Sequence, residues 1–352
     1  MGDFIANITQ DNIDKADAGT FAGRENRFFP REVELLLYGQ IDPYARGEVR
    51  LEAAEELEDG ERDLHLGLAE ANLTLLTLPF GTQLKMGKMR NRFGLLNQLH
   101  REGLPQPDQP SVLTRFLGEE GLVESGAEVT WVAPLPLYLE ALVGLFNGDN
   151  EDAFGRSSLK VPLATGRLRT FVDLETLGAV QFGASVANGQ TEERRSQTLV
   201  GYDVKYKLTP EGWRHPLLTL ASEGIWSRRE AAIEEEIDTD ADGIPDTTVT
   251  VDTKTRRRFG WYAYAEVQPT RRWAGGVRYD NTQLLEGPGR EWAIEPYVTF
   301  WASDFLRFRL AYKKTKRDDR ESFNANGASG RSADEIFFQA TFFLGAHQPH
   351  PF

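Results

Sequence analysis

Hydrophobic and polar positions alternate with a period of two along almost the whole chain, and helical periodicity is hard to find. The clearest segment puts Val200, Tyr202, Val204, Tyr206 and Leu208 on one face, with Gly201, Asp203, Lys205 and Lys207 on the other. Near the end, Leu306, Phe308, Leu310 and Tyr312 alternate with Arg307, Arg309 and Lys313. Early in the chain, Val33, Leu35, Leu37 and Ile41 alternate with Glu32, Glu34, Tyr38 and Gln40. Val49 and Leu51 then alternate with Arg46, Glu48, Arg50 and Glu52. Successive side chains of a strand point to opposite faces, so each segment reads as a strand with one apolar and one polar side.

Candidate strands fall at 4–11, 29–41, 45–56, 63–77, 83–93, 126–133, 138–147, 167–175, 179–188, 196–209, 215–228, 255–268, 272–282, 291–302, 305–315 and 334–345. Many are roughly ten residues long, the length of a membrane-crossing strand rather than the five or six of a soluble sandwich. Tyr44, Phe80, Trp213, Trp226, Trp273, Trp292 and Trp301 sit near strand ends or turns, where interface girdles lie. Short connections such as Asp42–Tyr44 and Ser303–Asp304 alternate with long ones near 12–28, 95–125, 147–166, 229–254, 283–290 and 317–333. A sandwich with one wet face gives no reason for that regularity. The expected fold is therefore all-β: a transmembrane antiparallel barrel of about sixteen strands, with short periplasmic turns and long extracellular loops. An even strand number needs the segment 4–11, whose own pattern is slight. Residues 1–346 form one barrel domain and 347–352 a short C-terminal tail.

The net charge of -14 argues against a nucleic-acid binder, and the absence of cysteine rules out disulfides and thiolate metal sites. No apolar run reaches the roughly twenty residues of a membrane helix. The opening MGDFIANITQ has neither a basic nor an apolar leader region, so Met1 is expected to begin either an engineered start or a processed chain.

The connection at 95–125 is far longer than the usual four to six residues, which marks it as functional. It carries Pro105, Pro107 and Pro110, and it mixes apolar side chains with His100, Arg101, Arg115, Glu119 and Glu120. It is read as folding into the barrel and narrowing the pore. Lys85, Arg101, Arg115, Glu119, Glu120, Arg46, Arg50, Lys205, Lys207, Arg307 and Arg309 are the candidate pore-lining and constriction residues. Fixed charges in such a place set ion preference, although each could instead pair across strands and stiffen the wall. So many inward charges also predict a wet interior rather than a dry core.

Lys85, Gly87, Lys88, Phe93 and Gly94 match a strand pattern of the phosphate-selective porin family, with Met89 where an aromatic residue is common. Gly276–Gln283 and Tyr297–Tyr312 are similar to late porin hairpins. NQLHREGLP, FLGEEGL, IDPYARG and GAHQPHPF resemble a related group of predicted outer-membrane proteins. The resemblance implies a trimeric sixteen-strand porin with a loop folded inward after the fifth strand. It does not carry phosphate selectivity onto so acidic a chain.

Asp238, Asp240, Asp242 and Asp246, with Gly243 and the carbonyl of Ile244, follow the first part of a calcium loop. Alternating carboxylates converge on one point, and the glycine permits the turn. Val249 stands where an EF-hand needs a bidentate Glu, so the likeness is to short Asp-rich calcium repeats, with Ca2+ in a structural role. A solvated acidic loop tip is the alternative reading. His347 and His350 lack a third ligand, and His65 and His100 stand alone, so none is read as a metal site. No enzymatic motif is present, and no catalytic role is expected.

The expected function is a passive outer-membrane channel of a Gram-negative bacterium, for small hydrophilic solutes or ions. The expected partners are outer-membrane lipid, these solutes and two further copies in a homotrimer, with no nucleic acid. A structural or adhesive barrel and a substrate-specific uptake receptor are the alternatives.

Overall fold

Period-two patterning produces sixteen strands that close on themselves. The computed structural model describes residues 1–11, 27–58, 61–237, 247–285, 288–319 and 331–345. The strands are β1 (Gly2–Asp11), β2 (Arg27–Asp42), β3 (Ala45–Glu58), β4 (Glu61–Leu78), β5 (Thr82–Arg90) and β6 (Val123–Val132). They continue with β7 (Tyr138–Phe146), β8 (Leu163–Asp173), β9 (Ala179–Gln190), β10 (Ser196–Leu208) and β11 (Leu218–Ile237). The last are β12 (Thr247–Thr270), β13 (Trp273–Gln283), β14 (Gly289–Ser303), β15 (Leu306–Asp319) and β16 (Arg331–Phe342). Each pairs antiparallel with its sequence neighbour. β1 closes the ring against β16, from Gly2 opposite Phe342 to Asp11 opposite Ala333. Closure removes every sheet edge, which is the condition for a sheet to cross a membrane.

The two faces have opposite chemistry. Leu35, Leu37, Leu66, Val143, Leu168 and Leu310 point outward and are exposed, whereas Glu32, Glu34, Asp203 and Arg278 point inward and are buried. In water that outer face would be a very large apolar patch; in a bilayer it is the surface such a barrel must present. Aromatic rings border it at both ends. Toward the long loops Trp226 lies 4.6 Å from Phe259, and Trp261 5.6 Å from Tyr279. Toward the short turns Trp273 lies 4.6 Å from Phe300. No helix among the described residues is long and apolar enough to cross a membrane.

Three boundaries depart from the sequence reading. The expected loop at 229–254 is largely strand: β11 runs to Ile237 and β12 begins at Thr247, paired through a bulge after Ile233. Charged residues at both positions of the alternation hid that extension, because no single apolar face marks it in the sequence. β5 stops at Arg90, so Phe93 and Gly94 belong to the following loop and not to the strand. That loop spans 91–122 rather than 95–125 and contains a 3-10 turn, Arg101–Gly103, and one short helix, α1 (Ser111–Leu117). The calcium-type stretch, with Asp238, Asp240, Asp242, Ile244 and Asp246, lies outside the described residues, as does the tail 347–352.

Candidate functional site: the loop inside the barrel

The loop leaves and re-enters the wall at a single point. The Asn91 amide donates to the Leu122 carbonyl (2.8 Å), extending the β5–β6 ladder by one rung before the chain turns inward. Asn97 holds this neck. Its Nδ2 donates to the carbonyls of Asn91 (2.7 Å) and Leu122 (3.1 Å), while its Oδ1 accepts from the Leu122 amide (2.7 Å). Beyond the neck, polar groups buried with the loop meet partners on the wall, as buried polar groups must.

On one side the partners lie on β2, β3 and β4. His100 Nδ1 lies 3.0 Å from a Glu34 carboxylate oxygen, and its Nε2 lies 2.6 Å from one of Glu70. Arg50 pairs with Glu34 and reaches Glu102 at 3.4 Å. Arg101 pairs with Glu32 (2.9 Å) and with Glu120. Burial and the Arg90 charge disfavour a proton on His100, but its two carboxylate partners outweigh them and hold its pKa above the ordinary imidazole value. Desolvation beside the wall works against the Glu120 charge although its side chain is half exposed, yet Arg101 and Arg90 pull its pKa below the usual carboxylate range. Glu34, His100 and Glu102 offer atoms close enough to share a metal. Both imidazole nitrogens are already engaged, however, and Arg50 supplies positive charge there.

Across the lumen the partners lie on β13, β14 and β15. Asp108 accepts from Arg278 (2.7 Å) and Lys313 (2.6 Å), and its carbonyl accepts a second Arg278 bond (3.0 Å). Burial opposes its charge, but these two cations hold its pKa well below the carboxylate range. Arg278 also pairs with Asp280 (3.0 Å) and Glu295 (2.7 Å). Arg115, from α1, pairs with Glu291 at 2.5 Å.

Between these two sides the loop is apolar. Phe93, Leu96, Val112, Phe116 and Leu117 pack against Leu199, Ile225, Tyr262 and Tyr264, with Phe154 from the loop at 147–162 completing the cluster. The wall makes room with small inward residues. Gly201 lies beneath the Phe93 ring, and Gly260 beneath Val112. Each buried Phe contributes on the order of 1.5–3 kcal/mol. Gly94 turns the chain into this cluster with φ at +65°, where a Cβ would run into the Glu223 carboxylate. That carboxylate accepts from the Leu96 amide (3.3 Å) and Tyr262 (2.9 Å). The expectation of an interior without a dry core is thus corrected: charged side chains line the lumen, but the loop brings an apolar core of its own.

Of the residues singled out from sequence, Lys205, Lys207, Arg307 and Arg309 come together. They line a cavity of about 460 Å³ on the short-turn side of the loop, with Glu102, Leu104, Tyr264 and Glu266. Arg309 also donates to the Leu104 and Gln106 carbonyls, so the loop roofs this space. Arg50, Arg101 and Glu120 gather on the β2–β4 side. Lys85 joins them through Glu70 at 3.7 Å. Arg46 lies nearer the short turns, its guanidinium 5.5 Å from the Tyr38 ring centre. Arg115 is separate from that group, across the lumen with Glu291. Glu119 is exposed, and its carbonyl accepts from Gln109 (3.2 Å).

Asp108, Arg278 and Lys313 form an anchor that sequence reasoning did not assemble. Arg278 and Asp280 alternate at inward positions within GVRYDN, a signal open to reading, whereas nothing local marks Asp108 as their partner.

No family model matches the chain. An uncharacterised protein of Aquifex aeolicus (strain VF5) is 28% identical over 355 residues, covering 91% of this chain and 69% of that protein. Among solved structures, the outer membrane channel DcaP of Acinetobacter baumannii aligns over 97% of this chain and 94% of its own, at 10% identity and TM-score 0.60. An anion-selective porin from Comamonas acidovorans covers 97% and 98%, at 9% identity and TM-score 0.59. The outer membrane protein OmpT of Vibrio cholerae, in its trimer form, covers 97% and 98%, at 9% identity and TM-score 0.53. The fold is that of these porins. The narrower likeness to phosphate-selective porins rests on the sequence motifs alone.

Proposed function

We propose that this chain is a porin of the outer membrane of a Gram-negative bacterium, a passive route for small hydrophilic solutes or ions. The observation that carries the reading is a closed barrel, apolar outside and charged inside, with its longest described loop bonded to opposite walls of the lumen. In this reading the loop at 91–122 sets the size limit. The side chains of Lys205, Lys207, Arg307 and Arg309 then act on the charge of whatever passes the cavity beneath it. The trimer form of the Vibrio cholerae neighbour supports a homotrimer here.

Single-channel recording in planar bilayers tests the proposal. Stepwise conductance from the purified, folded barrel is expected; silent membranes with folded protein inserted would refute it. Reversal potentials in a salt gradient then give the sign of the ion preference.

A further inference from the structure

On the outer face, β11 and β12 set Arg228 and Arg257 opposite each other in register, both exposed. Like charges directly opposite on a sheet destabilise it. Neither guanidinium is bonded to a carboxylate among the described residues. Along β11 the next outward carboxylate, Glu230, already accepts from the Ser196 amide at 3.2 Å.

The pair has a fixed depth. Each arginine stands two residues from a ring of the aromatic border, Arg228 beyond Trp226 and Arg257 beyond Phe259, and these rings are stacked at 4.6 Å and 25°. The strand from Leu218 to Arg228 has the roughly ten residues a barrel strand needs to cross the hydrocarbon. The guanidinium groups therefore stand at the headgroup level on the long-loop side, with the aromatic rings among the acyl chains below. Further round, Arg290 is exposed two residues beyond Trp292, and Lys316 is exposed in register with that Trp, although Asp318 lies opposite Arg290.

We propose that Arg228 and Arg257 form a binding site on the barrel's outside for a phosphorylated headgroup of an outer-leaflet lipid. A phosphate oxygen pair matches the planar donor fork of arginine, and one phosphate between two guanidinium groups turns their repulsion into attraction. The acyl chains of the same lipid would cover Trp226 and Phe259. This goes beyond channel function and does not depend on it.

Native mass spectrometry of the detergent-solubilised barrel tests the site. The probes are a diphosphorylated acyl-disaccharide lipid, its dephosphorylated form and inorganic phosphate. The wild type should retain the phosphorylated lipid about tenfold better than the dephosphorylated one, and millimolar inorganic phosphate should not displace it. Arg228→Gln with Arg257→Gln should abolish the difference while conductance and heat-modifiable mobility stay unchanged. Arg228→Lys with Arg257→Lys, which keeps the charge, should retain an intermediate amount. Equal retention of both lipids by the wild type overturns the proposal, with no variant needed. So does undiminished retention by the Gln variant, or displacement by inorganic phosphate, which would make the pair a simple ion site.

Discussion

His100 Nε2 lies 2.6 Å from Oε1 of Glu70, fastening the inward loop to β4 through the only side-chain type that titrates near neutrality without perturbation. The folded-state pKa of His100 is raised, so the stability this contact contributes is complete below the unfolded value of about 6.5. It is lost as pH rises through the higher folded value.

Protection of the loop from protease should therefore fall as pH increases upward from about 6.5. His100→Gln should flatten that dependence and destabilise the loop by about 1.5–3 kcal/mol at low pH. Limited proteolysis across pH checks this, and an unchanged profile in the variant would sink it.

Asp108 is the single carboxylate bridging Arg278 and Lys313 from the loop side. Asp108→Asn leaves the Lys313 ammonium without that partner in a buried place, a loss of about 3–5 kcal/mol for a broken buried pair. A lower thermal midpoint and a larger, noisier conductance are expected. A variant with wild-type values of both would show that the anchor is dispensable.

Gly94→Ala should release the loop without opening the wall. Alanine at φ +65° costs about 1 kcal/mol, and its Cβ displaces the carboxylate that holds the Leu96 amide and Tyr262. Cleavage by trypsin at Arg92 or Arg101 should appear while heat-modifiable mobility persists. Resistance equal to wild type would contradict the prediction.

Lys205→Glu with Lys207→Glu reverses two charges beside the cavity under the loop. The ratio of cation to anion permeability should rise about threefold or more, as fixed charge in a narrow lumen requires. Reversal potentials measure it directly, and no shift would mean that ions do not pass there.

Calcium should protect the stretch containing Asp238, Asp240, Asp242, Ile244 and Asp246 from protease, following its Asp spacing. Asp240→Ala with Asp242→Ala should remove that protection. Cleavage indifferent to calcium in the wild type would leave the solvated acidic tip as the correct reading.

The wall was legible because each strand repeats one local rule, apolar out and polar in, and closure then demanded a strand at Gly2–Asp11 that its own residues barely announce. The loop's position was legible from its length. Its docking was not, because contacts such as Arg278 with Asp108 join residues 170 apart in sequence, and no local periodicity encodes such a pairing. One trace was present, however. Gly201 and Gly260 interrupt inward positions, and small residues there are what a wall needs where something packs against it. His100 stood alone in sequence for the same reason as Asp108: its partners, Glu34 and Glu70, come from two other strands.

The neck held by Asn97 has a consequence for assembly. Since Asn91 and Leu122 already face each other across one rung, the β5–β6 hairpin can zip from Arg90 opposite Val123 toward its other end before the residues beyond the neck have docked. The insert is thus a detachable cassette. Wall formation needs only neighbouring strands, while docking the cassette waits for a ring whose far side exists, because loop closure must precede its long-range contacts. Replacing 92–121 with a tight turn should then yield an unobstructed tube, and the bore could change in evolution by edits confined to one segment.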